Sequence, residues 1–418
     1  MQANSTTKSP SAIVGGNSER IQLIDGLRGF ALLGILIAHI TYWFNAGPIP
    51  SQVFEKFNDI GFQIASTFEG IFISGKFYTF FSFLFGLSFA LQMGSKSFTL
   101  SRFAWRLVIL GLIGLIHSLH WRGDILSIYF VVGFLMILFR NSSDKLLVVL
   151  SFLLILNVPS RIREGYLYAV PSPPPTQQEQ KVYEQKTQIY WDMLKGGNYG
   201  ALLKANVTAF ADKFQFQYES GRIYITLGYF LLGLLAGRRK WFSSFTESKL
   251  FFKKWLKISG FATLGIIAIA IPLGILFGNR EPKPWFNFVM GSLFDAHSMF
   301  LTFFYVIGMA FLFQKNSWQA MLHHFAVIGK LALTTYLSQT LIGIILFYGI
   351  GFNLIGEVNP WICLLLTIPV FGLQVWFSHW WLSRFNYGPV EWLWRSLTYL
   401  KWQPLERQQG VYSTETIE

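Results

Sequence analysis

Apolar residues run along this chain in ten blocks, separated by shorter polar stretches and one long one. The blocks lie near Gly29 to Phe44, Phe77 to Met93, Leu107 to Leu119, Ile125 to Phe139, Leu146 to Val158, Ile223 to Ala236, Ile258 to Phe277, Phe286 to Phe313, Leu331 to Phe352 and Trp361 to Trp381. About 20 apolar residues cross the hydrocarbon core of a bilayer as a helix, so each block predicts a membrane-embedded helix. Several blocks are shorter than that, and their polar flanks must sit at the interface or pack against protein. Ile60 to Ile73 is a weaker run that reads either as a re-entrant segment or as the start of the second helix.

Composition turns this pattern into a class. Of 418 residues, 52% are hydrophobic, 18% aromatic and only 13% charged, against roughly 25% charged in soluble domains. That excludes an ordinary water-soluble enzyme. It predicts an all-α polytopic bundle of about 10 transmembrane spans embedded in a lipid bilayer. The net charge of +13 raises nucleic acid as a partner, but the basic residues lie between apolar blocks rather than in one stripe or arm, so none is expected. The single cysteine, Cys363, sits inside an apolar block, which excludes an intrachain disulfide and any CxxC motif.

The basic residues instead set the topology. With the N-terminus in the cytosol and the blocks alternating, 21 of the 34 Lys and Arg fall on the inner side, as cytoplasmic loops favour. The strongest inner loop is RRKWFSSFTESKLFFKKWLK. Most of the outer basic residues lie in one long loop, 159–222, of a length that translocates largely regardless of charge. Both termini are expected in the cytosol. The first twenty residues lack the apolar region of a secretory signal and read as a disordered tail. The chain then divides into tail 1–20, an N-terminal membrane bundle 21–158, the extracytoplasmic loop 159–222, a C-terminal membrane domain 223–405 and a tail 406–418.

The outer loop opens on VPSPPP, which cannot be helical. Beyond it Tyr183, Ile189, Tyr190, Met193 and Leu194 recur at helical spacing until Gly196 and Gly197 break the pattern. This predicts an amphipathic helix over the outer face, either a simple cover or a lid over a site.

Polar residues inside apolar blocks carry the candidate chemistry, because an ionisable group within a span is costly and faces a cavity or a partner. The segment IDGLRGFALLGILIAHI holds Asp25, Arg28 and His39. From Arg28 to His39 a helix turns roughly 1100°, about 20° past three full turns, and Asp25 lies on the same face, so the three form one stripe about 21 Å long. Asp25 and Arg28 fall at the inner interface, where the bland alternative is an i,i+3 ion pair, and His39 lies toward the outer side. A second group, GLIHSLHWRGDIL, places His117, His120 and Asp124 at the outer turn between the third and fourth blocks. A continuous helix there would put the three on neighbouring faces. Alternatively Asp124 caps the fourth helix. The histidines lack the spacing of a zinc motif, so no metal is expected.

Further polar positions are Lys76, read either as snorkelling to the interface or as a substrate contact, and Tyr336 and Gln339, read either as interhelical hydrogen-bonding groups or, at i,i+3, as lining a cavity. His323 and His324 adjoin the inner interface, and His297 and His379 are isolated. The C-terminal YGPVEWLWRSLTYLKW predicts an interfacial helix with a Glu391 to Arg395 pair at i,i+4.

The stripe, together with GKFYTFFSFLFGLSFALQ, GLIHSLHWRGDIL, GKLALTTYLSQTLIGIILFYGIG and RFNYGPVEWLWRSLTYLKWQPL, resembles the YeiB family, whose C-terminal part is a domain of unknown function. The opening motif is also similar to that of the acyltransferase-3 and heparan-glucosaminide acetyltransferase groups; in acyltransferase-3 proteins DGLR is followed by apolar residues and a His, the proposed catalytic base. Asp25, Gly26, Leu27, Arg28 and His39 match that pattern. The resemblance implies a bacterial multi-pass protein of the cell membrane, moving an acyl group from a cytosolic donor such as acyl-CoA to a small-molecule or glycan acceptor, with no permanently bound cofactor. His39 with Asp124, or His120 with Asp124, supplies a base and its orienting partner. Asp25, Arg28, Arg102 and Arg106 are the candidates for the donor end, with the arginines facing phosphate; His117, Lys76, Tyr336 and Gln339 are candidates to line the substrate path. The alternative is a transporter that uses the same stripe as a solute or proton path.

Overall fold

A computed structural model of the chain describes residues 15–95, 98–170, 176–242, 245, 247–278 and 284–407. Among these residues it is all-helical, with one isolated bridge between Phe385 and Glu406 as its only β pairing. Helix α1 spans Gly15–Ile40, and α2 (Ser51–Glu55) and α3 (Ile60–Phe68) lead through a π-helical turn at Glu69–Ile73 into α4 (Phe77–Met93). Next come α5 (Leu100–His120), α6 (Leu126–Leu138), α7 (Asp144–Ile155) and α8 (Val158–Ala169). The long loop folds as α9 (Gln177–Lys195), α10 (Tyr199–Thr208) and α11 (Phe210–Glu219). The second half holds α12 (Arg222–Arg238), α13 (Lys249–Phe277), α14 (Pro284–Leu312), α15 (Gln319–Lys330), α16 (Ala332–Phe347), α17 (Pro360–Leu382) and α18 (Pro389–Tyr399).

Six helices among the described residues are long and apolar enough to cross a membrane, or up to nine if each of three bent pairs is one span. Four of the expected ten blocks are not single spans: three fall in the bent pairs α7–α8, α11–α12 and α15–α16, and the fourth is α6. Helix α6 has 13 residues, which at 1.5 Å per residue gives about 20 Å, short of a bilayer core of about 30 Å. The fifth block becomes α7, which continues into α8 through a 46° bend. The weaker run Ile60 to Ile73 joins the second block in one apolar stretch, Ile60–Met93. Part of the expected N-terminal tail is helical, since α1 begins at Gly15; residues 1–14, the prolines of VPSPPP and residues 408–418 lie outside the described residues.

Neighbouring helices gain no hydrophobic drive against lipid, so close packing and polar contacts hold them. Helix α12 lies against α4 and α7, and α1 lies against α15. At the α1–α15 crossing the backbones touch: a Cβ added to Gly29 would sit 1.9 Å from Phe325 O, and one added to Gly329 would sit 1.7 Å from Asp25 O. Only glycine fits at either place. Helix α13 packs on α14 and leaves Phe261, Leu264 and Ile275 exposed, the surface a lipid-facing helix presents.

The long loop covers the His39 end of the bundle. Helix α9 is started by a capping box of Thr176 and Glu179, and it buries Thr187, Tyr190, Trp191 and Leu194. That face differs from the expected one, because Tyr183 and Ile189 are exposed; the apolar signal was spread over two sides of the helix. Lys195 pairs with Glu357 at 2.6 Å, and Gly349 N donates to Leu194 O at 2.8 Å, so this helix is fastened to the C-terminal half.

Gly329→Val is expected to destabilise the protein by about 1–3 kcal/mol or to prevent folding, because the clash is with backbone that cannot move aside. Gly265→Ala, whose Cβ meets nothing within 4 Å, is expected to leave the thermal unfolding midpoint in detergent unchanged.

Candidate functional site

The unbroken helix α1 carries Asp25, Arg28 and His39 on one element. Arg28 Nη1 donates to Asp25 Oδ1 at 2.8 Å and Nη2 donates to Ser88 Oγ on α4 at 2.6 Å. Beside it, Arg106 Nη1 donates to Gln92 Oε1 at 2.7 Å, and its guanidinium lies over the Trp394 ring at 4.4 Å. Arg102 lies over Tyr399 at 5.2 Å. Helix α18 therefore closes this end with aromatic faces stacked on α5 arginines.

From these cations an apolar cavity of about 240 Å³ runs into the bundle. Arg28, Arg106 and Lys330 line one end, Tyr78, Tyr129 and Tyr336 the other, and Phe81, Phe85, Leu107 and Leu110 lie between. Arg102 is not part of the lining. Lys330 was not singled out in the sequence, because it reads as one more basic residue of an inner loop. It follows Gly329 at the end of α15, where the chain turns by 84° into α16. Glu391 satisfies the orphan N–H groups at that break, accepting from Leu333 N at 2.6 Å and Thr334 N at 3.0 Å. This replaces the expected Glu391 to Arg395 pair; Arg395 instead lies over Tyr387 at 5.1 Å.

Next to the tyrosine end stands a buried polar chain. Thr340 Oγ1 is 3.0 Å from His117 Nε2, and His117 Nδ1 is 2.8 Å from Asp124 Oδ1. Asp124 also accepts from Leu126 N at 3.0 Å and Ser127 N at 2.9 Å, capping α6. Its fourth partner is Lys213 of α11, with Nζ 3.1 Å from Oδ2 and 2.7 Å from Ser127 Oγ. Tyr336, which lines the cavity, presents its ring to His117 at 5.3 Å, and Ile125 N donates to the Tyr336 hydroxyl at 3.2 Å. An imidazole with Nδ1–H directed at a carboxylate keeps Nε2 as an acceptor, so the chain runs from hydroxyl to ring to carboxylate.

The partners of Asp124 differ from those the spacing suggested. Helix α5 stops at His120 and the backbone turns extended at Trp121, φ −149° and ψ 122°. The chain doubles back and brings Asp124 to His117 rather than to His120. The ring of His120 stacks on Tyr199 of α10 and hydrogen-bonds its hydroxyl. His39 lies against Trp121 at 4.6 Å and Phe44 at 5.5 Å, and its buried Nδ1 has no hydrogen-bond partner among the described residues.

Other candidates sit apart from the cavity. Lys76 does not snorkel; it is fully buried, donates to Gly70 O at 2.8 Å and lies over Phe294 at 4.8 Å. Gln339 bonds Leu32 O at 3.1 Å and Gln374 at 3.3 Å, tying α16 to α1 and α17. His379 is not isolated, since its Nε2 is 2.9 Å from His324 Nδ1. Among the described residues no group of three or more His, Cys, Asp or Glu is arranged to hold a metal ion.

A family described as protein of unknown function (DUF418) matches residues 236–401. The chain is similar to the uncharacterised protein YxaH of Bacillus subtilis, 30% identical over 423 residues that cover 94% of this chain and 98% of the relative. It is also similar to the uncharacterised protein YeiB of Escherichia coli, 28% identical over 413 residues, 91% and 96% of the two chains. An uncharacterised 39.9 kDa protein of Bacillus acidopullulyticus is 26% identical over 405 residues, 93% and 96% of the two chains. No solved structure matches.

Burial opposes ionisation of Asp124, but the His117 hydrogen bond and the Lys213 charge outweigh it and hold the carboxyl at about 2. A depressed folded-state value stabilises above the ordinary carboxylate range, so this contribution is present at neutral pH. It is lost as pH falls from about 4 toward about 2. Lys213→Met leaves a buried carboxylate without its cation, and is expected to lower stability by about 3 kcal/mol. Denaturant unfolding across that acid range checks both effects, with Asp124→Asn expected to lack this component of the acid loss.

Proposed function

This chain belongs to the DUF418 family of YeiB-like proteins, and on that premise we propose that it is a bacterial plasma-membrane acyltransferase. The donor is a cytosolic phosphate-bearing thioester and the acceptor a hydroxyl compound on the outer side. The observation that carries the reading is the cavity, cationic at the Arg28, Arg106 and Lys330 end and ending beside the Thr340–His117–Asp124 chain. A phosphate group suits three cations, which outnumber the one carboxylate, Glu391, that shares the lining with Ser88 and Gln92. The donor's arm lies along Phe81, Phe85, Leu107 and Leu110, and its carbonyl reaches the tyrosine end.

His117 is the base in this reading, because it is the imidazole that a carboxylate orients. The acceptor oxygen attacks the thioester carbonyl while its proton passes to Nε2, at the place the Thr340 hydroxyl marks. The carbon–sulfur bond then breaks, and the imidazolium returns the proton to the thiolate. Asp124 holds the ring and stabilises its charged form. His39, with no orienting partner, contacts the acceptor rather than removing its proton. Both termini are cytosolic in this arrangement, and α9 to α11 form the outer cover.

One observation favours transport as a second reading. The broken pair α15–α16, bent by 84°, borders the cavity through Gly329, Lys330, Ala332 and Leu333, and interrupted helices beside a site are a feature of transporters.

Mass spectrometry of envelope glycans and lipids from cells with matched protein levels separates the two. An acyl group present with the wild type is expected to fall about 100-fold with His117→Ala and to fall with Arg106→Ala. Identical acyl profiles in wild type and a deletion strain, with altered solute uptake, contradict the transferase and support the permease.

A further inference from the structure

Helices α7 and α12 leave an open groove on the flank of the bundle that shares no residue with the lining of the transfer cavity. The two helices touch where Gly228 of α12 passes the end of α7: a Cβ added there would lie 2.9 Å from Ile155 and 3.0 Å from Leu154. About two turns further along α12, at Leu235, stands the groove, with a volume of about 570 Å³. Leu235 is buried, whereas Val148 and Val149 on the α7 side are 39% and 55% exposed, and Trp241 borders the space. The rest of the lining is charged: Asp144, Lys145 and Arg239.

Both helices end at this level. Ser143 caps α7, its hydroxyl accepting from Leu146 N at 3.3 Å, and the last residue of α12, Arg238, donates from Nη1 to Ser142 O at 2.8 Å. Apolar helix gives way to polar chain here, as it does at the surface of a bilayer. Asp144 is shared by two guanidinium groups, with Arg238 Nη1 3.8 Å from Oδ1 and Arg239 Nε donating to Oδ2. Arg239 keeps both terminal nitrogens, and Lys145 its ammonium, without a hydrogen-bond or ion-pair partner among the described residues, and both side chains are exposed. Three cations thus stand against one carboxylate, and two of them have donors to spare.

Unused cationic donors at the rim of an apolar groove select an amphiphile with an anionic head. The tail side is marked as well: Leu146, Val149 and Leu153 are exposed and lie at i, i+3 and i+7, one stripe along α7 leading away from the charged end. A soluble phosphate compound would leave that apolar wall uncovered, and a zwitterionic lipid would bring its own ammonium against Lys145 and Arg239. We propose that the groove binds one anionic glycerophospholipid of the cytoplasmic leaflet, its phosphate held by Lys145 and Arg239 and an acyl chain lying on Val148, Val149 and Leu235. Seven basic residues between Arg238 and Lys257 assign this end to the cytoplasmic side. An acyl chain that leaves the bilayer for the groove exchanges one apolar contact for another, so the preference among lipids comes from the headgroup, at about fivefold per basic residue.

The test releases the full chain from nanodiscs of phosphatidylcholine that hold a small share of phosphatidylglycerol, and counts the retained lipid by native mass spectrometry. A photoreactive phosphatidylglycerol then maps the site by peptide. One phosphatidylglycerol retained per chain is expected, with label on the α7 peptide between Leu146 and Leu153. Lys145→Ala removes no contact within the protein, and Arg239→Ala leaves Asp144 paired with Arg238; each is expected to lower retention about fivefold. Val149→Trp fills the groove and is expected to abolish the α7 label. Lys254→Ala, an exposed lysine of the same basic loop outside the lining, is expected to change nothing. Thermal unfolding in detergent confirms that each variant is folded. Equal retention of the two lipids overturns the site, and so does a loss with Lys254→Ala as large as with Lys145→Ala, which would show diffuse surface charge alone. Glycerol phosphate that competes as well as a short-chain phosphatidylglycerol overturns the acyl-chain contact and with it the proposal. No arm reads acyl transfer, so the lipid site stands or falls apart from the transferase reading.

Discussion

A carboxylate buried among apolar helices must be fully partnered, and Asp124 meets that requirement in a way that organises its surroundings. Its oxygens accept two backbone N–H groups at the start of α6, one imidazole N–H from α5 and one ammonium from α11. Removing any of these leaves charge uncompensated where water cannot reach it. The same contact therefore fixes the turn between α5 and α6, the orientation of His117 and the docking of the long loop onto the bundle.

The other end of the cavity follows the same principle. Turning the chain by 84° between α15 and α16 exposes the first N–H groups of α16, and the Glu391 carboxylate of α18 accepts from them. The contact places Lys330 at the cavity mouth and brings Trp394 over Arg106. Contact between α1 and α15 at Gly29 and Gly329 sets Arg28 opposite. A cationic mouth and an oriented imidazole are thus held by separate networks on the two sides of one apolar channel.

Much of this architecture is legible in the sequence because hydropathy and helical period are local properties. The Asp25–Arg28 pair, the single stripe on α1 and the capping role of Asp124 follow from spacing alone. What spacing does not carry is where a helix gives way. The extended backbone at Trp121 sends Asp124 to His117, and no periodicity marks that point. Lys213 and Thr340 come from 89 and 223 residues away along the chain, and in the sequence one is a lysine in a polar loop and the other a threonine in a span. The polar face of α14 is hidden for a similar reason: Asp295 and Ser298 look like scattered exceptions until the start of α4 and α8 bring Gly75 and Arg161 against them.

The central claim is that the cavity between α1, α4, α5 and α16 holds the donor. Photo-crosslinking of the purified protein with a diazirine-bearing acyl thioester of coenzyme A tests it directly, with peptide mapping of the label. The account predicts labelling of the α4 and α5 peptides around Phe85 and Leu110, competed by unlabelled thioester and lost when Arg28 and Arg106 are replaced by alanine in protein that still unfolds cooperatively. Label confined to the lipid-facing surface of α13, or cavity label indifferent to competitor and to both arginines, contradicts it.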